Sequence, residues 1–335
     1  MTKIALLPDL HLGRHINAMG YTDKGKSKSQ LLLLRRLIGM IAEVKKQEPD
    51  LVIIPGDIFD TPNPDTYSFI NFIIILRQYE LKNVVIVAGN HDFPKRPKDS
   101  NPVEQAATLA DCLPGIEIEY LKNGIVTLNG LSVQVIANSS TFPDSIDIDE
   151  GIDVVIGHFP VVGPREYEYI KPPELNSRPG VTLMLGDCHR NYNKGNIFYS
   201  GVLDRMTFGE AESQPGFWLF EFDQKTRKNA TFITTPSTEF TTITQDEYDD
   251  SLLPLLKTHV VKFIGSNDDT AQLIRENVFG FIYQKEIESI GEQNPITTID
   301  RDSGLQSIWE QYAAQKKIPP NLQKTISDML LRAQQ

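Results

Sequence analysis

Five short apolar runs in this chain each stop at residues able to bind metal, and that pattern narrows the fold more than any other feature. Residues 3–7, 51–55, 84–88, 153–156 and 181–185 are rich in Ile, Leu and Val, the composition of strands buried on both faces. Asp9 and His11 stand just after the first run, and Asp57 after the second. Asn90 and His91 follow the third, His158 the fourth, and Asp187 and His189 the fifth. A lone Asp after a strand is ordinarily a helix N-cap, and a lone His is ordinarily a satisfied polar residue. Five coincident cases are hard to attribute to capping, because four of the chain's six histidines fall in this one set. In open α/β sheets the carboxyl ends of the strands are where ligands bind, so one sheet edge is expected to carry a site.

The segments between the runs support that topology. Residues 29–47 carry Leu33, Leu37, Met40, Ile41 and Val44 at helical spacing, and residues 66–79 also read as a helix. The β-α-β-α-β order predicts parallel strands covered by helices. From residue 124 strands dominate, at 125–128, 131–137, 153–156, 181–185, 196–200 and 216–222, and a second sheet packed on the first is expected to bury them. A Thr- and Pro-containing stretch at 235–244 reads as a boundary. Beyond it, a strand at 259–265, a helix at 269–278 and a strand at 280–287 predict a small α/β unit. Helical patterns at 305–317 and 321–332 are separated by Pro319-Pro320. The expected division is residues 1–244, a capping domain at 245–300, and a C-terminal helical segment at 301–335.

Bulk properties exclude several classes. The net charge of −11 gives no whole-protein basic field for nucleic acid. A carboxylate site loaded with divalent cations can nevertheless face a phosphate chain. Two cysteines, Cys112 and Cys188, are too few for a disulfide framework. The start lacks the apolar region of a signal peptide, and no apolar run approaches the roughly 20 residues that span a membrane. A soluble cytoplasmic protein is expected.

The donor types narrow the chemistry. Carboxylate, imidazole and one amide oxygen together suit Mn²⁺, Fe²⁺, Co²⁺ or Zn²⁺ better than Ca²⁺, and no thiolate set of a structural zinc site is present. These are more donors than one ion takes. Two ions about 3.5 to 4 Å apart, bridged by a carboxylate, use them all, and such pairs hydrolyse phosphate esters.

The motifs Asp9-Leu10-His11, Gly56-Asp57-Ile58-Phe59-Asp60, Gly89-Asn90-His91-Asp92, Gly157-His158 and Gly186-Asp187-Cys188-His189 resemble those of the calcineurin-like metallophosphoesterases. Asp9-Leu10-His11-Leu12-Gly13, together with the segment from Tyr199 through Arg205 to Glu210, is similar to the SbcD nuclease branch of that family. The resemblance covers residues 1 to about 244 well and the remainder in outline. It implies an α/β sandwich of two mixed sheets flanked by helices, with a small α/β capping domain and C-terminal helices. It further implies a DNA exonuclease and endonuclease acting in end processing, recombination and repair. Its partners are DNA and an SbcC-type coiled-coil ATPase, with the chain a homodimer inside a heterotetramer. Carried over by motif, Asp9, His11, Asp57 and His189 hold one metal. Asp57, Asn90, His158 and Asp187 hold the other, so Asp57 bridges. His91 becomes a catalytic histidine off the metals, with Asp92 orienting it and Asp60 supporting the site. The family usually has Gly-His-x-His where this chain has Gly186-Asp187-Cys188-His189. The harder carboxylate favours Mn²⁺, or Mg²⁺, over softer ions.

Arg14, His15, Lys24, Lys26 and Lys28 lie in the segment after the first motif, placed to contact phosphates without reading sequence. Lys95, Arg96 and Lys98 have the same potential. Leu305, Ile308, Trp309 and Tyr312 share one helical face, and Leu322, Ile326, Met329 and Leu330 another. Such faces fit a partner's coiled coil as well as their own core. Two other functions fit the same residues: a dinuclear phosphoesterase for a non-DNA substrate, and a non-catalytic scaffold for DNA or the ATPase. Retention of His91 speaks against the scaffold.

Overall fold

The apolar runs become central strands of two six-stranded sheets in the computed structural model, which describes residues 1–81, 83–94, 101–137, 145–161, 174–176 and 180–285. In the first sheet β1 (Thr2–Leu6), β2 (Leu51–Ile54), β3 (Val84–Ile86) and β4 (Ile118–Tyr120) run parallel. The second contains β5 (Gly124–Leu128), β6 (Leu131–Ile136), β8 (Val154–His158), β10 (Thr182–Gly186), β11 (Tyr192–Lys194) and β12 (Ile197–Tyr199), with β7 (Ser145–Asp147) and β9 (Glu174–Asn176) paired apart from it. Its order is β11-β12-β10-β8-β6-β5, with only the outermost strands antiparallel to their neighbours.

Strand alternation sends successive side chains to opposite faces. Along β1, Ile4 and Leu6 join Leu51, Ile53, Val133, Val154, Ile156, Met184 and Phe198 in the core between the sheets. Ala5 and Leu7 point the other way, among the helices. These are α1 (Lys28–Lys46), α2 (Thr66–Gln78) and α3 (Pro102–Asp111). Each begins on a residue whose side chain accepts an otherwise orphaned N–H: Ser27 from Gln30, Asp65 from Ser68, and Asn101 from Val103. The helical spacing in α1 buries Leu33, Leu37, Met40, Ile41 and Val44. The result is the mixed-sheet α/β sandwich that the motifs imply.

Residues 216–222 go elsewhere than expected. They form β13 (Gly216–Asp223), which joins the first sheet antiparallel to β1, and β14 (Thr226–Thr234) follows at the edge. The reason lies in the faces: Phe217 packs among the helices, while Trp218, Phe220 and Phe222 pack between the sheets. A strand buried on both faces fits either sheet by pattern alone. Residues 235–244 also differ from a plain boundary. They contain β15 (Glu239–Thr244), which pairs in parallel with β16 (His259–Gly265), and β16 with β17 (Gly280–Lys285). The helix α4 (Leu253–Leu256) and the longer α5 (Asp268–Asn277) cover this small sheet through Leu256, Ala271 and Ile274 on Val261 and Phe263. The predicted C-terminal helices lie outside the described residues. Among those described, no helix is long and apolar enough to cross a membrane.

A buried carboxylate ties the entry of β15 to the helical layer. Asp204 accepts from Arg36 Nε (3.0 Å) and Thr238 Oγ1 (2.6 Å) through one oxygen, and from the Thr238 and Arg205 N–H groups through the other. Asp204→Ala removes the acceptor of the Thr238 N–H and hydroxyl and leaves Arg36, a quarter exposed, without its carboxylate and with a 3.4 Å bond to Thr238 Oγ1. A loss of about 2–4 kcal/mol is expected, below the cost of breaking a fully enclosed pair. The measurement is urea unfolding with the slope held constant.

Candidate metal centre

The two sheets bring their carboxyl edges together. Asp9 and His11 leave β1, Asp57 leaves β2, and Asn90 and His91 leave β3 of the first sheet, whereas His158 ends β8 and Asp187 and His189 follow β10 of the second. The site therefore draws on two sheet edges, not the single edge expected from sequence. Its turns are tight enough to force unusual backbone. His11, Asp57 and Asp187 have φ of 43°, 46° and 85°, a region costly for residues with a Cβ and tolerated where the surroundings over-determine it. Glycine is required behind them: a Cβ on Gly89 would strike the Asp57 carboxylate and backbone nitrogen, and one on Gly56 the His158 ring.

Asp57 is the centre of the arrangement. Its Oδ1 accepts from the His91 N–H at 2.9 Å. Its Oδ2 lies 3.5 Å from His11 Nε2 and 3.4 Å from His158 Nε2. On the first side, His11 Nε2 is 3.0 Å from His189 Nε2, and donor atoms of Asp9, His11 and His189 lie within 4.8 Å of one another. On the second, His158 Nε2 is 3.0 Å from Asn90 Oδ1 and 3.8 Å from Asp187 Oδ1. Asp9 spans both, its Oδ2 accepting from the Asp187 N–H and its Oδ1 lying 3.8 Å from His158 Nδ1. The seven expected donors are thus gathered in two groups around one carboxylate oxygen. His91 also reaches the His11 and Asp57 donor atoms. It is the most open of the four histidines, with a side chain 36% exposed.

The electrostatics are those of a site prepared for cations. Burial pushes the Asp9 carboxyl up to about 7, against the pull of His158. Burial also opposes charge on His158, but Asp57 and Asp9 outweigh it and raise the imidazole to about 10. Burial raises Asp187. Asp57 is held below the usual carboxylate range because His158 and His11 overcome its desolvation. Asp9 Oδ1 and His158 Nδ1 are buried without hydrogen-bond partners, and such atoms call for an explanation.

The histidines are aimed by residues behind them. His189 Nδ1 donates to Glu210 Oε1 at 2.7 Å, and Glu210 Oε2 is fixed by the Met206 and Thr207 N–H groups. His11 Nδ1 donates to Asp60 Oδ1 at 3.2 Å, and Arg14 Nη1 donates to the same oxygen at 2.9 Å. Both rings turn Nδ1 to a carboxylate, so their Nε2 atoms face each other at 3.0 Å, where they share a proton or hold a cation between them. Metal-ligating histidines usually carry such outer partners. The donor set therefore fits divalent metal.

Two supporting roles differ from the expectation. Asp92 does not orient His91: its oxygens accept from the N–H groups of Ile58, Phe59 and Gly89, so it staples the β2 and β3 turns from below. His91 Nδ1 donates instead to the Asp60 backbone carbonyl at 2.8 Å. Glu210 carries no role in the sequence reading, although Thr207-x-x-Glu210 has the spacing of a capping box. The basic candidates are scattered in role. Arg14 turns inward to Asp60, His15 is held by Ser27 Oγ, Lys26 lies over the Tyr67 ring, Lys24 is exposed and Lys28 is half-buried in the first turn of α1. Lys95, Arg96 and Lys98 lie outside the described residues.

The family model for calcineurin-like phosphoesterases matches residues 2–199. The chain belongs to that family. The matched span takes in every strand that delivers a donor to the centre, and membership of the calcineurin-like phosphoesterases implies divalent metal. The chain is also similar to two proteins named as the SbcD component of the SbcCD nuclease. The one from Staphylococcus epidermidis is 22% identical over 289 residues, 76% of this chain and 75% of that protein. The one from Staphylococcus saprophyticus is 22% identical over 259 residues, 65% of each chain.

If Glu210 aims His189, Glu210→Ala lowers affinity for Mn²⁺ by roughly 10- to 100-fold without unfolding the protein. Calorimetric titration of the chelator-stripped chain measures this, and unchanged affinity shows that His189 needs no such partner.

Proposed function

We propose that this calcineurin-like phosphoesterase is a DNA nuclease of the SbcD kind, hydrolysing phosphodiesters at a two-metal centre. The observation that carries the reading is the position of Asp57 Oδ2 between the His11 and His158 rings, with one donor group on either side. In this reading Asp9, His11, Asp57 and His189 hold one ion, and Asp57, Asn90, His158 and Asp187 hold the other. The two similar proteins are named as nucleases, which supports the reaction class. Their place within SbcCD supports DNA as the substrate and an SbcC-type ATPase as the partner.

The metal pair, when bound, makes water acidic enough to attack near neutral pH and neutralises charge on the phosphate. The chain's own contribution is positional. Arg14, Asp60 and Glu210 lock His11 and His189 in the tautomer that presents Nε2 inward. The Asp60 carbonyl does the same for His91, the most open of the four histidines. From there His91 holds a phosphate oxygen or donates a proton to the leaving oxygen. Asp187 supplies a hard oxygen donor, so Mn²⁺ is the working ion, with Mg²⁺ next and zinc disfavoured.

The surroundings fit a larger assembly. Tyr67, Ile70 and Ile74 stand exposed at positions i, i+3 and i+7 of α2, an apolar stripe suited to pairing two copies of the chain. A capping domain that takes in β15 and ends near residue 300, a cytoplasmic location and an ATPase-binding role for the C-terminal helices belong to the same proposal.

End-labelled DNA incubated with Mn²⁺ and the wild-type chain is expected to be cut, and His91→Asn to cut about 10²- to 10⁴-fold more slowly with its Mn²⁺ content intact. A wild type that is inert both alone and with an SbcC-type partner overturns the nuclease reading. Metal competition gives a second test. Asp187→His is expected to raise zinc occupancy relative to Mn²⁺, and equal occupancy of the two metals in the wild type contradicts the preference assigned to Asp187.

A further inference from the structure

A surface feature near the centre is left over once the metal donors and phosphate contacts are assigned. Tyr21 is 59% exposed. Its ring stacks on His15, with centroids 4.8 Å apart and planes 27° apart. His15 is itself fixed: its Nδ1 lies 2.9 Å from Ser27 Oγ, which is 3.0 Å from Ser29 Oγ. Ser29 Oγ in turn donates to the Arg14 carbonyl and accepts from the Ile16 N–H.

The backbone around Tyr21 is equally defined. Tyr21 and Ser27 form an antiparallel bridge, Thr22 N–H donates to the Lys26 carbonyl at 2.8 Å, and Gly25 N–H donates to the Thr22 carbonyl at 2.8 Å. This turn presents Lys24 and Lys26 to solvent. Lys26 Nζ sits 4.9 Å from the centroid of Tyr67, a second tyrosine 45% exposed. Tyr21 is thus a largely solvent-open ring held on one face by a fixed imidazole, in the same short turn as Lys24 and Lys26.

The location gives it a use. His15 is four residues from His11 in the chain, a span of at most about 14 Å. Arg14 between them contacts Asp60, which aims both His11 and His91. The Tyr21 ring, 4.8 Å from that of His15, is therefore a few nucleotides at most from a strand whose scissile phosphate lies at the centre.

We propose that Tyr21, backed by His15 and flanked by Lys24 and Lys26, is a stacking platform for an unpaired base of the substrate, so that the enzyme favours single-stranded or frayed ends over closed duplex. This rests on the nuclease reading above. An aromatic face accepts any base, and base stacking of this kind is sequence-tolerant while nearby cations hold the backbone. A paired base inside a duplex has no free face to offer.

The test measures cleavage of a 5′-labelled single-stranded oligonucleotide and of a blunt hairpin-capped duplex, both in Mn²⁺, by wild type, Tyr21→Ala and Tyr21→Phe. Hydrolysis of bis(p-nitrophenyl) phosphate by the wild type runs alongside. Thermal melting and Mn²⁺ content establish that each variant is folded and loaded. The expected result is a KM for the single strand raised roughly 5- to 150-fold in Tyr21→Ala, with kcat and duplex cleavage much less affected and Tyr21→Phe matching the wild type. Equal KM values for all three proteins on the single strand, with cutting intact, overturn the platform and leave the nuclease reading standing. Hydrolysis of the small diester without cleavage of either DNA overturns the nuclease reading and the platform with it.

Discussion

A carboxylate buried between two imidazoles from different sheets is the constraint around which the rest of this structure is arranged. Asp57 is almost wholly enclosed, and its Oδ2 faces His11 on one side and His158 on the other. Burying an anion costs several kcal/mol unless charge and hydrogen bonds compensate it. Here the compensation comes from the His91 N–H and from imidazoles carried by β1 and β8, so the two sheets must keep their carboxyl edges in register. The left-handed backbone at Asp57 and the bare face of Gly89 are consequences of fitting that carboxylate into the gap.

Around this centre the fold supplies a ring of fixed acceptors. Asp92 ties the turns after β2 and β3 from beneath, Asp60 aims His11 and His91, and Glu210 aims His189. Glu210 lies in a short turn whose neighbour Phe208 packs with Phe240 and Val260 of the small sheet. The small sheet is therefore in mechanical contact with a residue that sets the orientation of a metal-facing histidine.

Much of this was legible in the sequence because donors at strand ends leave a one-dimensional trace. An apolar run followed by Asp, Asn or His needs no tertiary information to be read, and the same holds for the helical spacing of Leu33, Leu37 and Met40. What escaped reading depends on contacts across the chain. Residues 216–222 alternate and are apolar on both faces, so nothing local says that they pair with β1 in place of the second sheet. Asp92 follows His91 directly, and adjacency invites a catalytic role that its three backbone partners exclude. Glu210 lies 21 residues beyond His189, and its capping-box pattern accounts for it locally without pointing to the imidazole that its other oxygen holds.

The measurement that bears most directly on the account is the magnetic coupling of bound manganese. Chelator-stripped protein titrated with Mn²⁺ and followed by electron paramagnetic resonance should take up two ions per chain. They should give the exchange-coupled signal of ions sharing a ligand, about 3.5 to 4 Å apart. Asp57→Ala should abolish that coupling. A single isolated Mn²⁺ per chain, or two uncoupled ions unaffected by Asp57→Ala, would contradict the claim that one buried carboxylate serves both halves of the site.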